Sequence, residues 1–176
     1  MSKYYNIDDL RLLAKKRVPR AVFDYADGAA EDELTKDNNR NAFKKWKFIP
    51  DVFVDVAEVD TQTKVLGTEM PYPFALGPTA ISYLFHHSGE PAVARAASER
   101  NFPSTLSSIA STNIEDYADA SDCSVWYQMY VWKNREISND FIKRCKEKNY
   151  KAIMLTVDVP VGCLLYTSPS PRDIGE

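Results

Sequence analysis

Two side chains in the aromatic stretch "VWYQMYV" have the chemistry to hold a polar ligand. Gln128 and Tyr130 are two residues apart, so on a strand both point to the same face. An amide and a phenol that enter an apolar interior are costly unless each finds a hydrogen-bond partner. The pattern favours a polar ligand held from this strand, with a tyrosine satisfied by the backbone as the alternative.

Other polar residues lie at the ends of apolar segments. The stretch "LGPTA" (76–80) offers free backbone amides and a hydroxyl beside the rigid Pro78, a turn that suits the edge of a flat heterocycle. Ser107 in "TLSS" and Thr156 in "KAIMLTVDVP" each add a hydroxyl. From the residues alone, a plain strand-to-helix turn and ordinary loop hydroxyls remain alternative interpretations.

The composition argues against several classes of protein. The net charge is −3 and no segment is strongly basic, so we expect no nucleic-acid partner. Three cysteines, with no CxxC pair and no histidine at ligand spacing, argue against a disulfide framework and a metal site. No apolar run is long enough to span a bilayer, and the start lacks a signal-peptide pattern. We therefore expect a cytoplasmic protein, with peripheral membrane association left open.

Apolar and helical segments alternate after residue 70. Strands are predicted in "PFALGPTA", "PSTLSS", "VWYQMYV" and "KAIMLTVDVP", and helices in "GEPAVARAASERN", "TNIEDYADAS" and "REISNDFIKRCKEKN". Thr112 and Glu115 have the spacing of a capping box for the second of these helices. The alternation is typical of a parallel sheet, either doubly wound or closed into a (β/α)₈ barrel. Because no GxGxxG follows the first strand and each strand ends in polar or aromatic residues, we favour the barrel.

The chain before residue 70 is predicted to be helical and then extended. Asn6 is a suitable cap for a first helix, Pro19 opens a second, and Gly28 closes it. The stretch "KFIPDVFVDVAEVD" is predicted to be extended or irregular. The predicted organisation is a helical and extended segment over 1–70, four barrel strands with their helices over 71–162, and a tail over 163–176.

Six motifs occur in a fixed order: "FDYADGAAEDELTKDNNRNAF", "LGPTA", "GEPAVARAAS", "TLSSIAS", "YQMYV" and "KAIMLTVDVPVG". Together they resemble the FMN-dependent α-hydroxy-acid dehydrogenases and oxidases, a family that includes L-lactate dehydrogenases, lactate oxidases and glycolate oxidases. The resemblance implies the N-terminal half of a (β/α)₈ TIM barrel behind a helical segment, with FMN as cofactor. It also implies a homo-oligomer that oxidises an L-2-hydroxy acid to the 2-oxo acid by hydride-equivalent transfer to flavin.

The resemblance also implies roles for individual residues. The implied cofactor-binding residues are Pro78, Thr79, Ala80, Ser107, Gln128 and Thr156. Tyr25 and Tyr130 match substrate-binding positions, although Tyr25 taken alone also fits the core of the second helix. The family's general base is a histidine on a later strand. His86 and His87 follow the first strand, so we interpret them as a solvated loop pair and not as the base.

The segment "CLLYTSPSPRD" departs from the family pattern. Its eleven residues equal a translation of a sequencing-library transposase adapter, so we expect residues 163–176 to be a non-native tail. The 176-residue chain is then expected to be an inactive part of a longer enzyme. One alternative is a short non-catalytic protein that binds flavin or a partner. Another is a different FMN barrel enzyme such as an isomerase, against which Tyr25 and Tyr130 together favour the hydroxy-acid family.

Overall fold

The structure, a computed structural model, describes residues 4–157. The described residues form two compact units, residues 4–55 and residues 56–157. The helices are α1 (Ile7–Arg17), α2 (Arg20–Asp27), α3 (Leu34–Ala42), α4 (Gly89–Ser98), α5 (Ile114–Asp119) and α6 (Arg135–Glu147). The strands are β1 (Thr63–Val65), β2 (Thr68–Met70), β3 (Ser104–Ser107), β4 (Val125–Met129) and β5 (Ala152–Leu155). In this part of the chain, no helix has the length and apolar character to cross a membrane.

The first unit begins with the helices that the capping residues predict. The Asn6 side chain accepts a hydrogen bond from the backbone N–H of Asp9 at 2.8 Å and so caps α1. Pro19 precedes α2 and Gly28 ends it, as the sequence predicts. The predicted boundaries of these two helices are confirmed, and most of the stretch from residue 47 to 60 is irregular, also as predicted.

The second unit is built on a parallel sheet with the strand order β3-β4-β5. In its register Ser107 lies opposite Gln128, and Gln128 lies opposite Met154. The connections run through α5 and α6, so the predicted alternation of strands and helices is confirmed from β3 to β5. Thr156 follows the last residue of β5 directly, and its backbone N–H donates to the carbonyl of Met129 at 3.0 Å.

The predicted strand in "PFALGPTA" is only one bridge long. Leu76 pairs in parallel with Ser104, and its backbone donates to Pro103 and accepts from Thr105 at 2.9 and 3.0 Å. Prolines stand three residues before and two residues after Leu76. Pro78 stands at the next position whose N–H would face β3, and proline has no N–H, so the ladder ends after Leu76. Before Leu76, the N–H of Phe74 donates to the carbonyl of Tyr72 at 2.8 Å and not to β3. The segment still takes the place of a first strand beside β3.

The helices pack on one face of this sheet. The buried cluster joins α4, α5 and α6 to the helix-facing side chains of β3 and β4, and it contains Ala94, Leu106, Ile114, Tyr117, Val125, Tyr127, Met129 and Cys145. Because side chains alternate along a strand, the intervening residues point to the opposite face, called here the inner face. Thr105, Ser107, Trp126 and Gln128 lie on the inner face and are all buried.

A β-hairpin that the sequence did not reveal precedes the sheet. β1 and β2 pair antiparallel across Leu66 and Gly67, whose φ angles are 49° and 77°. Two positive φ angles match the twist of a two-residue hairpin turn. Asn-Gly or Asp-Gly usually signals such a turn in a sequence. Leucine is unusual at the first position, so this signal is absent here. The indole N–H of Trp126 donates to the hydroxyl of Thr68 at 3.5 Å, which places the hairpin against the inner face.

The start of α5 differs from the predicted capping box. Asn113, not Thr112, caps the helix by accepting from the backbone of Asp116 at 2.7 Å. Glu115 does not turn back to the cap because its carboxylate binds the guanidinium of Arg144 at 2.6 and 2.8 Å. This hydrogen-bonded ion pair between α5 and α6 lowers the pKa of Glu115 to about 2.

Gly89 is expected to be essential to the start of α4. Its φ is +49°, and a Cβ at this position would lie 2.7 Å from the ring of Tyr83. We expect Gly89→Ala to lower the free energy of unfolding by about 2 kcal/mol, because it combines a left-handed backbone with steric overlap. Thermal unfolding measures the loss. Gly77→Ala is the matched control, since a Cβ at Gly77 meets nothing within 4 Å. Equal unfolding temperatures for the two variants would contradict this interpretation.

Candidate functional site

The side-chain amide of Gln128 is the centre of a polar group on the inner face. The residue is 3% exposed, and its Oε1 accepts from Ser107 Oγ at 3.1 Å and from the backbone N–H and Oγ of Ser108 at 3.1 and 3.3 Å. Its Nε2 donates to Thr156 Oγ1 at 2.7 Å. Ser107, Ser108, Gln128 and Thr156 are called the polar cluster below. They lie at the carboxyl ends of three parallel strands.

The orientation of the Gln128 amide is determined by its neighbours. The backbone N–H of Ser108 can only donate, so the oxygen of the amide must face it and the nitrogen must face Thr156. Nε2 carries two N–H groups, and the described residues take one of them. The other N–H is available to a ligand, together with the hydroxyl hydrogen of Thr156.

The polar cluster contains no charged group, and every member both donates and accepts. Hydroxyls and a carboxamide at the carboxyl ends of parallel strands suit a neutral ring whose edge alternates N–H and C=O groups. Active sites of (β/α)₈ barrels lie at this end of the strands. Among the described residues, no group of histidine, cysteine, aspartate or glutamate side chains is arranged to hold a metal ion.

Pro78, Thr79 and Ala80 lie in the loop that follows the Leu76 bridge. Pro78 and Ala80 are half-buried and Thr79 is exposed. Within residues 4–157, no direct hydrogen bond joins this loop segment to the polar cluster. The connection is through the backbone, since the N–H of Ile81 donates to the carbonyl of Ile109 at 3.3 Å, two residues beyond Ser107.

Glu90 is a buried residue of the site that sequence analysis missed. It is 3% exposed, and its Oε1 accepts from the backbone N–H groups of Ser82 and Ser111 at 2.8 and 2.9 Å. Its Oε2 accepts from the hydroxyl of Thr112 at 3.0 Å. Burial alone would raise the pKa of this carboxyl, but the hydrogen bonds from Ser111, Ser82 and Thr112 outweigh it and lower the pKa.

A sequence signal for Glu90 exists in hindsight. Glu90, Ala94 and Ala97 follow helical spacing on α4, and all three are buried. A glutamate in the apolar stripe of a helix is rarely buried unless it is paired. Its position at the start of this stripe therefore indicates a buried carboxylate with hydrogen-bond partners.

The remaining candidate residues are two tyrosines and a pair of histidines. Tyr130 directly follows β4, two residues after Gln128, and is half-buried. Tyr25 lies on α2 in the other unit and is 48% exposed. The rings of His86 and His87 stack with their centroids 4.2 Å apart, and both residues are exposed, as expected for a loop pair.

Comparisons with known proteins identify the family. Residues 14–164 match the family model of the FMN-dependent dehydrogenases. The chain belongs to the FMN-dependent dehydrogenase family. It is 39% identical over 155 residues to glycolate oxidase 3 of Arabidopsis thaliana, and 38% identical over 158 residues to (S)-mandelate dehydrogenase of Pseudomonas putida. These alignments cover 88% and 90% of this chain but 42% and 40% of those proteins. The chain thus spans about two fifths of the length of these curated relatives.

Solved structures show the same relationship. The recombinant flavin-binding domain of flavocytochrome b2 from baker's yeast superimposes with a TM-score of 0.90 at 31% identity, over 94% of this chain and 44% of that one. The sequence-based assignment to this family is confirmed. So is the α/β fold class, because the solved relatives are TIM-barrel flavoenzymes and the parallel strands of this chain form part of such a barrel. The individual site residues and the predicted boundary at residue 70 stay predictions.

Replacement of Gln128 by methionine tests the hydrogen bonds of the polar cluster. Gln128→Met keeps the length of the side chain but leaves Ser107, the Ser108 N–H and Thr156 without their partner. We expect a loss of about 1–3 kcal/mol in the free energy of unfolding, measured with urea, because the buried hydroxyl of Ser107 and the part-buried Ser108 N–H and Thr156 hydroxyl lose their partner. Gln62→Met is the control, since Gln62 is exposed. Equal stability of the two variants would show that the polar cluster does not hold the strands together.

Proposed function

We propose that the protein carrying this chain binds FMN and oxidises an L-2-hydroxy acid to the corresponding 2-oxo acid. The observation that carries the proposal is the amide of Gln128, which is held by Ser107, Ser108 and Thr156 and has one N–H that no described residue takes. Membership of the FMN-dependent dehydrogenase family supports the same cofactor.

The residues of the polar cluster fit the ring of FMN chemically. The pyrimidine-like edge of the ring presents carbonyl oxygens, a ring nitrogen and one N–H group, all of them neutral in the oxidised form. The N–H of Gln128 that no described residue takes suits a carbonyl or ring-nitrogen acceptor. The hydroxyl of Thr156 suits either kind of partner, whereas that of Ser107 gives its hydrogen to Gln128 and could only accept. Pro78, Thr79 and Ala80 would line the ring from the neighbouring loop, with the backbone N–H groups of Thr79 and Ala80 as donors.

The proposed chemistry divides between the cofactor and the chain. When bound, FMN would supply the acceptor for the C2 hydrogen of the hydroxy acid and its two electrons, and the hydroxyl proton would pass to a base of the protein. Tyr130 would donate to the substrate oxygens from the position two residues beyond Gln128. Tyr25 stays a predicted substrate-binding residue, by resemblance alone. Neutral phenol donors hold a carboxylate without the tight ground-state binding that slows turnover.

The substrate class follows from the relatives. Glycolate oxidase 3 and (S)-mandelate dehydrogenase are named for small 2-hydroxy acids, and we propose a substrate of the same class, lactate-like or glycolate-like. We also propose that the protein is a cytoplasmic homo-oligomer. Peripheral association with a membrane is compatible with this proposal, since one solved relative is described as a monotopic membrane protein.

FMN titration and substrate reduction test the function in the whole protein that carries this chain. We expect the purified protein to bind FMN and its flavin absorbance to bleach anaerobically with L-lactate or glycolate. Tyr130→Phe is expected to slow this reduction about 30- to 1,000-fold, as for the loss of one hydrogen bond to developing charge worth about 2–4 kcal/mol. Its FMN dissociation constant should change by less than about threefold, because the polar cluster is intact.

Tyr5→Phe is the control, since Tyr5 is 80% exposed and no role is proposed for its hydroxyl. Normal turnover of the Tyr130→Phe protein with a full flavin spectrum would remove Tyr130 from the site. Failure of the unmodified protein to take up FMN, or to reduce it with any 2-hydroxy acid, would refute the proposed function.

A further inference from the structure

We propose that Glu90 is a positioning residue that holds two loops of the FMN site in the geometry that cofactor binding requires. The proposal rests on the proposed function, since it concerns the same site. The two loops are residues 77–82, which contain Pro78, Thr79 and Ala80, and residues 108–112, which follow Ser107.

Among the described residues, the side chain of Glu90 accepts hydrogen bonds from these two loops and from no other element. One oxygen accepts from the backbone N–H of Ser82 in the first loop and from that of Ser111 in the second. The other oxygen accepts from Thr112 in the second loop. A single carboxylate on α4 therefore fixes the backbone of both loops. Because two of the three donors are backbone amides, the link constrains the path of the chain directly.

The first loop needs such a constraint. Ile81 has φ 45° and ψ 47°, in the left-handed region, where a β-branched side chain is sterically disfavoured. Conformations of this kind cost about 1–3 kcal/mol and persist only where the surroundings impose them. Hydrogen bonds on both sides impose this one: Ile81 N–H donates to Ile109, and the next N–H, that of Ser82, donates to Glu90.

A role in packing alone does not explain a carboxylate at this position. Ala94 and Ala97 fill the same buried stripe of α4 with methyl groups. Burial of a carboxylate is costly unless hydrogen bonds compensate it, and among the described residues no cationic side chain pairs with Glu90. The acceptor geometry is therefore the property that this residue contributes. Backbone strain is concentrated at functional sites elsewhere in proteins, and here it lies next to the proposed cofactor-binding residues.

Two measurements on the whole protein separate a positioning role from general stability. The first is hydrogen exchange at the amides of Ser82 and Ser111 without FMN. The second is the FMN dissociation constant with the visible spectrum of the bound flavin. In Glu90→Ala we expect protection of both amides to fall at least about tenfold and FMN affinity to fall about tenfold, as for buried donors that lose an acceptor.

Glu90→Gln should restore both measurements to within about threefold of the parent, because one amide oxygen can accept from both backbone N–H groups. Glu90→Asp keeps the charge but is one methylene shorter, so it should weaken binding although it folds. Glu99→Ala is the matched control, an exposed glutamate at the other end of α4. It should change neither measurement.

The outcomes distinguish this inference from the proposed function. If Glu90→Ala and Glu90→Asp lose amide protection but keep the FMN affinity and spectrum of the parent, the positioning role is refuted while the flavin site stands. Unchanged protection of Ser82 and Ser111 in both variants also refutes it. If the parent protein binds no FMN, the proposed function fails, and with it the role of Glu90 in that site.

Discussion

The buried amide of Gln128 is the constraint on which the site depends. A buried amide whose oxygen or nitrogen makes no hydrogen bond at all costs about 1–3 kcal/mol, so at least one partner for each has to be in place when the strands pair. The parallel register supplies them, because it sets Ser107 opposite Gln128 and brings Thr156 to the end of the neighbouring strand. The hydrogen bonds that stabilise this register also hold Nε2 of Gln128 in a fixed position as a donor for a ligand.

Adjacent side chains of β4 point to opposite faces of the sheet. Tyr127 packs edge-to-face against the rings of Phe141 and Tyr150 on the helix side, while Gln128 enters the polar cluster on the other. A slip of one residue in register would exchange the two faces and bury the amide among apolar helices. Stability of the helix-facing core and preservation of the site therefore depend on the same pairing.

The sequence predicts the structure of this chain correctly where one physical rule determines the local conformation. Strand alternation and the polar ends of apolar segments predicted the neighbours of Gln128, including Ser107 and Thr156. The prediction fails where residue type and tertiary contacts favour different local structures. Leu66 adopts a positive φ that its residue type does not signal, so the hairpin was missed. Glu90 was missed because its partners come from two loops that only the folded chain brings together. The pairing at Leu76 is short because Pro78 cannot donate the next hydrogen bond to β3, and hydrophobic periodicity does not reveal this effect.

The side-chain amide resonance of Gln128 is the most direct test of the claim that this amide contacts the flavin ring. The chain contains two glutamines, Gln62 and Gln128, and the exposed Gln62 is an internal reference. In protein prepared with isotope-labelled glutamine, addition of FMN should shift the Gln128 side-chain signals and slow the exchange of their hydrogens, while the signals of Gln62 stay unchanged. Gln128 signals that do not move at saturating FMN would contradict the account.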